Sequence, residues 1–144
     1  MYALTQDWVG LNNRPTRKIE IINPITGESL TVTALWDTGA NISSIDQSVV
    51  ERLNLTVFDT VPSKSTNAKV NNRNRYEIKM ILKEGFYFEN VRAVGLDDID
   101  DDCQAIIGMD VIELGDFSIT NYNGNTCLSF RAPSQHRIDY ENNP

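Results

Sequence analysis

The sequence predicts an all-β fold: a single domain forming a closed or highly curved barrel of short antiparallel strands, with one or two short helices. Three observations predict it. Short stretches alternate apolar and polar side chains, among them Ser29 to Trp36, Tyr76 to Leu82 and Phe86 to Val94. Turn chemistry separates them, at Asn23-Pro24-Ile25-Thr26-Gly27-Glu28, Lys83-Glu84-Gly85 and Asn123-Gly124-Asn125. Helical apolar spacing is confined to two short segments. Many short strands punctuated in this way build a barrel or a sandwich rather than a layered α/β fold.

Taken in order, Met1 to Pro15 carries the turn residues Gly10, Asn12, Asn13 and Pro15 and reads as an arm, partly ordered at best. Lys18 to Ile22 and Ser29 to Trp36 flank the Asn23–Glu28 turn and predict a β-hairpin that delivers the chain to Asp37. Ile42 and Ile45 continue as a short strand. Asp46 is placed to cap a helix over Gln47 to Asn54, whose Val49, Val50 and Leu53 share one face. Thr56 to Val61 predicts a strand that Pro62 ends. Pro62 to Arg75 is polar, with four Asn residues, and is either a loop or the tip of a long exposed hairpin. Tyr76 to Leu82 and Phe86 to Val94 then form a meander. Ala105-Ile106-Ile107-Gly108 is an apolar run stopped by glycine, and Met109 to Leu114 predicts a short helix with Asp110 near its start. Asp116 to Tyr122 and Thr126 to Phe130 are joined by Asn-Gly, a strong hairpin signal. Ala132 to Pro144 is a polar tail. The expected organisation is an arm over residues 1–15, a domain over 16–131 and a tail over 132–144.

Composition narrows the function. A chain of 144 residues with 40% apolar content is long enough for a real core and is not disordered. A formal net charge of −7 disfavours nucleic acid, whose phosphates need clustered Lys and Arg. Cys103 and Cys127 are expected as reduced thiols, with a single disulfide as the lesser alternative. His136 is the only histidine and lies in the polar tail, so neither zinc chemistry nor a Ser-His-Asp triad is supported, and no metal or other cofactor is expected. Leu96 to Gln104 holds Asp97, Asp98, Asp100, Asp101 and Asp102, but a calcium loop would need Gly and Glu at positions where this stretch has neither. A solvated acidic loop is the expectation there. Met1 to Lys18 lacks an apolar run of signal-peptide length, and no segment approaches a membrane span, so a cytoplasmic protein with no membrane partner is expected.

The chemistry concentrates at Ala34-Leu35-Trp36-Asp37-Thr38-Gly39-Ala40. Asp, Thr and Gly are ordinary turn residues, and alone they mean little. Here, however, Asp37 follows directly on Leu35 and Trp36, so its carboxylate would be partly desolvated at the end of an apolar strand. Gly39 would allow a backbone or a substrate to approach closely.

At Leu35-Trp36-Asp37-Thr38-Gly39-Ala40 and Ile106-Ile107-Gly108-Met109-Asp110 the chain resembles the retropepsin-type aspartic proteases of retroviruses, retrotransposons and their bacterial relatives. The resemblance covers roughly Ser29 to Phe130. In that family the first motif carries the catalytic Asp, and the second crosses beneath it and leads into a short helix. The resemblance therefore implies Asp37 as the catalytic residue, Thr38, Gly39 and Ala40 as the active-site loop, and Ile106, Ile107 and Gly108 as its support. It implies that Thr38 locks two such loops across a two-fold axis and that Gly39 meets the substrate backbone. Asp110 matches the motif without a catalytic role, and a helix-start role is expected for it. Trp36 is larger than the aliphatic residue usual at its position. The hairpin that covers substrate in the family would fall between about Val61 and Tyr76, and its tip, Ser63 to Val70, has no glycine where viral members carry several.

Peptide hydrolysis by this route needs two carboxylates sharing one proton. The chain holds one Asp-Thr-Gly and no Asp-Ser-Gly, so a homodimer contributing one Asp37 from each subunit is the arrangement that works. The expected function is a homodimeric aspartic endopeptidase acting on extended peptide substrates. The alternative is a dimeric peptide- or protein-binding module on the same fold with little or no turnover, motivated by the glycine-free hairpin tip. A third, remote reading is an unrelated β-barrel in which Asp37 is exposed and far from Ile106-Ile107-Gly108.

Overall fold

Eight residues of alternating burial, Ser29–Trp36, form strand β3, with Val32, Ala34 and Trp36 inward and the polar side chains outward. In this computed structural model, which describes residues 2–64 and 70–144, two compact units divide the chain. The larger spans Arg14–Val111. It contains β2 (Thr16–Ile22), β3, β4 (Ser44–Asp46), helix α1 (Gln47–Arg52), β5 (Val57–Lys64), β6 (Val70–Lys83), β7 (Phe86–Leu96) and β8 (Ala105–Ile107). Its sheet runs β2-β3-β8-β4-β7-β6-β5, and β2 also pairs with β6 through Ile21↔Met80, so the first six of these strands close into a barrel. Ile19, Ile21, Ile45, Ile78, Met80, Leu82, Phe86 and Ile107 fill it.

Most neighbours are antiparallel, as expected, but two pairs are parallel: β3 with β8 and β4 with β7. Local alternation fixes which residues face inward and leaves open which strand lies alongside. The parallel β3–β8 pair puts Leu35 beside Ile106 and Trp36 beside Ile107. Asp46 caps α1 as expected, its Oδ1 accepting from the Ser48 N–H at 2.9 Å. Burial opposes ionisation of this carboxyl, but the N–H bonds from Ser48 and Ile99 outweigh it and hold its pKa below the usual range.

β5 does not end at Pro62. The strand continues to Lys64, with Pro62 opposite Asn72, and Pro62–Lys64 and Val70–Arg75 are therefore paired strands of a long hairpin. Pro62 is tolerated because β5 pairs only with β6, so its missing N–H costs no ladder bond on the outer side. Arg75 grips Asp59 across the hairpin with a two-pronged ion pair, its Nε donating to Oδ1 at 2.7 Å and its Nη2 to Oδ2. The glycine-free tip, residues 65–69, lies outside the described residues.

The second unit joins Met1–Asn13 to Ile112–Pro144. Its sheet runs β1 (Tyr2–Asp7), β10 (Cys127–Ala132), β9 (Asp116–Thr120). Tyr2–Asp7 is thus a strand and not an arm: it pairs along its whole length with β10, Leu4 lying opposite Phe130. The loop after it is tied down as well, by Trp8 N–H to Thr126 O at 2.9 Å and Asn12 N–H to Thr126 Oγ1 at 2.8 Å. The Asn-Gly turn between β9 and β10 is present, with Asn123 at φ 54° and Gly124 at φ 74°. The polar tail is anchored on Asp116, which accepts from Arg131 Nε, Gln135 N–H and Ser134 Oγ–H. Helix α2 (Met109–Ile112) is shorter than the sequence predicts and ends where Gly115 passes the Arg131 carbonyl. Among the described residues no helix is long and apolar enough to cross a membrane.

Candidate active site

Strand β3 ends at Trp36, and the chain turns at once. The Asp37 N–H donates to the Ile107 carbonyl at 2.9 Å, continuing the β3–β8 pairing by one bond. The Ala40 N–H closes back on the Asp37 carbonyl at 3.2 Å. The carboxylate itself is held by its own loop: Oδ1 accepts the Gly39 N–H at 2.8 Å. A Cβ at Gly39 would lie 3.1 Å from that oxygen, so glycine allows the loop to wrap this closely around the carboxylate. Trp36 is buried, Asp37 half-buried, and Thr38 and Gly39 exposed. The apolar strand therefore anchors the acid from behind and leaves its front and the next two residues open.

The second motif is the cradle of the first. Gly108 is fully enclosed, and a Cβ there would lie 2.8 Å from both the Ala40 carbonyl oxygen and the Ile42 carbonyl carbon. Only glycine allows the two segments to meet. Beyond it, the Met109 N–H donates to Ala40 O at 2.7 Å and the Asp110 N–H to Asn41 O at 3.2 Å. Asp37, Thr38, Gly39 and Ala40 thus lie on one loop, and Ile107 and Gly108 lie directly against it, while Ile106 pairs one step back beside Leu35. An exposed Asp37 distant from this motif, as in the unrelated-barrel reading, is excluded by these bonds.

Sequence reasoning missed Ser43, and it gave Asp110 a helix-start role without its link to the Asp37 loop. Ser43, fully buried, donates through its N–H (2.9 Å) and its hydroxyl (2.7 Å) to Asp110 Oδ1, and its Oγ accepts the Gly108 N–H at 3.0 Å. Asp110 does sit in the first turn of α2 and accepts the Val111 N–H at 3.1 Å, but it also reaches across to the Asp37 loop. The only signal in the sequence was its place directly after Ile-Gly-Met.

The acidic loop is solvated, as expected, with Asp97, Asp98, Asp100, Asp101 and Asp102 all exposed and three of them in surface ion pairs. Arg14 Nη2 reaches Asp100 Oδ2 at 2.6 Å and Asp102 Oδ1 at 3.1 Å, and Arg73 reaches Asp97 at 3.4 Å. These pairs are exposed and contribute little stability, though hydrogen bonding from Arg14 lowers the Asp102 pKa. Among the described residues no group of three or more His, Cys, Asp or Glu side chains could hold a metal ion. Cys103 and Cys127 are free thiols.

Residues 24–113 match the model of the family described as "gag-polyprotein putative aspartyl protease", a span that includes the Asp37 loop, Gly108 and Asp110. The chain belongs to this family. As a member it carries the retropepsin-like fold, and a solved structure agrees. A retropepsin-like aspartic protease from Rickettsia conorii matches over 92% of this chain and 97% of its own, with 15% identity and a TM-score of 0.57. EIAV protease in complex with an inhibitor matches over 74% of this chain and 91% of its own, at 21% identity and a TM-score of 0.46. The retroviral protease-like domain of Ddi1 from Leishmania major matches over 77% and 91%, at 18% identity and a TM-score of 0.42. No curated protein sequence matches the chain.

Proposed function

We propose that this aspartyl protease family member is a homodimeric endopeptidase in which two Asp37 carboxylates, one per subunit, activate a water against a peptide bond. The observation that carries the reading is the Asp37 loop. Its carboxylate projects from the end of a buried strand, one oxygen fixed by the Gly39 N–H, with Thr38 and Gly39 exposed beside it. A structural turn residue has no need of such a setting.

Two carboxylates brought within about 3 Å cannot both ionise, and so they hold one proton between them. The ionised Asp37 takes a proton from the water as it attacks the scissile carbonyl carbon. The protonated Asp37 gives its proton to the carbonyl oxygen, forming a neutral gem-diol. On collapse, the Asp37 that took the water's proton gives it to the leaving amine, the other Asp37 takes a proton from a gem-diol hydroxyl, and the C–N bond breaks, leaving one proton on the pair. The dyad titrates as a unit with two apparent pKa values. Thr38 serves the contact between the two loops, Gly39 and Ala40 the substrate backbone, and Ile106, Ile107 and Gly108 the support behind. The substrate lies as an extended strand read through alternating pockets.

The test pairs sedimentation across a concentration series with cleavage of a mixed peptide library in the same samples, at mildly acidic and neutral pH. The expected result is cleavage that rises with the dimer fraction, is blocked by a statine-type inhibitor and falls by on the order of 10³-fold or more in Asp37→Asn. Cleavage that survives Asp37→Asn would overturn the mechanism. Peptide binding that is equal in Asp37→Ala, with no product after long incubation, would instead establish a binding module.

A further inference from the structure

We propose that Ser43 and Asp110 are positioning residues for the Asp37 carboxylate, acting as one unit that fixes the far end of the Asp37–Ser43 loop. The inference rests on the proteolytic reading above and extends it to two side chains that touch no substrate.

The near end of the loop is fixed by main chain alone, through Asp37 N–H to Ile107 O at 2.9 Å. Its middle is fixed by main chain too, through Met109 N–H to Ala40 O at 2.7 Å and Asp110 N–H to Asn41 O at 3.2 Å. At the far end one main-chain bond remains, from the Val94 N–H to the Ser43 carbonyl at 2.9 Å, and the link to the second motif passes to side chains. The Ser43 hydroxyl has one proton, and its orientation is forced. It must accept from the Gly108 N–H at 3.0 Å, because that group can only donate, and so it gives its own proton to Asp110 Oδ1 at 2.7 Å. The same oxygen accepts the Ser43 N–H at 2.9 Å and the Val111 N–H at 3.1 Å. Three donors converge on one carboxylate oxygen, a load suited to a negative charge and poorly met by a neutral amide. Ser43 is fully buried, so no water can replace a lost partner without rearrangement. Gly108 is the hinge of the arrangement. It follows Ile107, which holds Asp37, and precedes Met109, which holds Ala40, and its own N–H is held by Ser43. A change at Ser43 or Asp110 is therefore transmitted to the carboxylate through Gly108 and Ile107.

If the pair positions Asp37, its loss lowers kcat and leaves substrate binding alone, because displacement of a reacting group by a fraction of an ångström costs rate far more than affinity. The experiment compares wild type, Asp110→Asn, Ser43→Ala, the double variant and Ser43→Thr, with kcat and KM measured at protein concentrations where sedimentation gives equal dimer fractions. Asp110→Asn and Ser43→Ala should each lower kcat by roughly 10- to 100-fold with KM within about twofold. The double variant should be no worse than the poorer single one, as for residues acting as a unit. Ser43→Thr, which keeps the hydroxyl, should regain most of the rate. Should Ser43→Ala not fold, the isosteric Asp110→Asn carries the comparison alone. Folded variants with wild-type kcat and only a lowered melting temperature would refute positioning and leave a plain structural clasp. A wild type that cleaves nothing would overturn the underlying proteolytic reading and this inference with it, an outcome distinct from active but unaffected variants.

Discussion

Gly108→Ala is the sharpest probe of how the two motifs meet. The added Cβ would lie 2.8 Å from the Ala40 carbonyl oxygen and 2.8 Å from the Ile42 carbonyl carbon, and both are backbone. Relief to an ordinary contact beginning at 3.4 Å requires a displacement of 3.4 − 2.8 ≈ 0.6 Å. No rotamer can supply it, so the Asp37–Ser43 loop must move off the second motif. Moving it by that amount stretches the Met109–Ala40 bond from 2.7 Å to about 3.3 Å and strains the Gly108–Ser43 bond beside it. Overpacking of this kind costs about 1–3 kcal/mol, and weakening two buried hydrogen bonds adds roughly 1 kcal/mol. A total near 3 kcal/mol lowers the melting temperature of a domain this size by about 10 °C. Thermal denaturation followed by circular dichroism measures the loss; on the proposed proteolytic reading, cleavage per dimer reports the displacement of Asp37 and should fall even in protein that remains folded. A Gly108→Ala variant that melts within about 2 °C of wild type would refute the argument, because the close approach would then not be required by the folded state.

Two further outcomes concern stability. Asn23 is buried, its Nδ2 donating to Leu53 O at 2.9 Å and its Oδ1 accepting from Ile25 N–H at 2.9 Å; Asn23→Ala should cost about 1–3 kcal/mol in urea denaturation, because both backbone partners are left unpaired. Asp116 holds the tail through Ser134, Gln135 and Arg131, and these bonds depress its pKa well below the usual carboxylate range. A depressed folded-state value stabilises the protein above the unfolded pKa of about 3.9, and the gain is lost as pH falls through the folded-state value. The melting-temperature advantage of wild type over Asp116→Asn should therefore be full at neutral pH and shrink steadily below about pH 4. An advantage independent of pH would show that the ionised carboxylate is not what secures the tail.

Much of the site was legible because the residues that carry it obey local rules. β3 runs from Ser29 to Trp36 in both the alternation and the structure, and Asp46 caps α1 where its side chain and the following apolar spacing placed it. The contact of the Asp37 loop with Ile107 and Gly108 followed from the family resemblance and not from any local signal. What stayed hidden was long-range. Tyr2–Asp7 contains one buried residue, Leu4, so its alternation is faint, and its partner lies at the opposite end of the sequence. Pro62 reads as a stop until β5 is known to be an edge strand. Ser43 and Asp110 are both ordinary polar residues in their own surroundings. They become informative only when the barrel brings them within 2.7 Å.

That distance in sequence has a consequence for how the protein comes into being. Among the described residues, the bonds that set the Asp37 loop from outside reach residues between Ile107 and Asp110, save one from the Val94 N–H to the Ser43 carbonyl at 2.9 Å. A nascent chain that has exposed Asp37 and nothing beyond β7 owns the acid and, of that support, at most the Val94–Ser43 bond. Loop closure over some seventy residues is slow compared with local structure, and it must wait for the ribosome to release the second motif. The partner strand of Tyr2–Asp7 arrives later still, with Cys127–Ala132. The order of synthesis therefore keeps the carboxylate without the second motif until Asp110 has emerged, and a truncated product ending before Ile107 would carry the Asp-Thr-Gly sequence without the site.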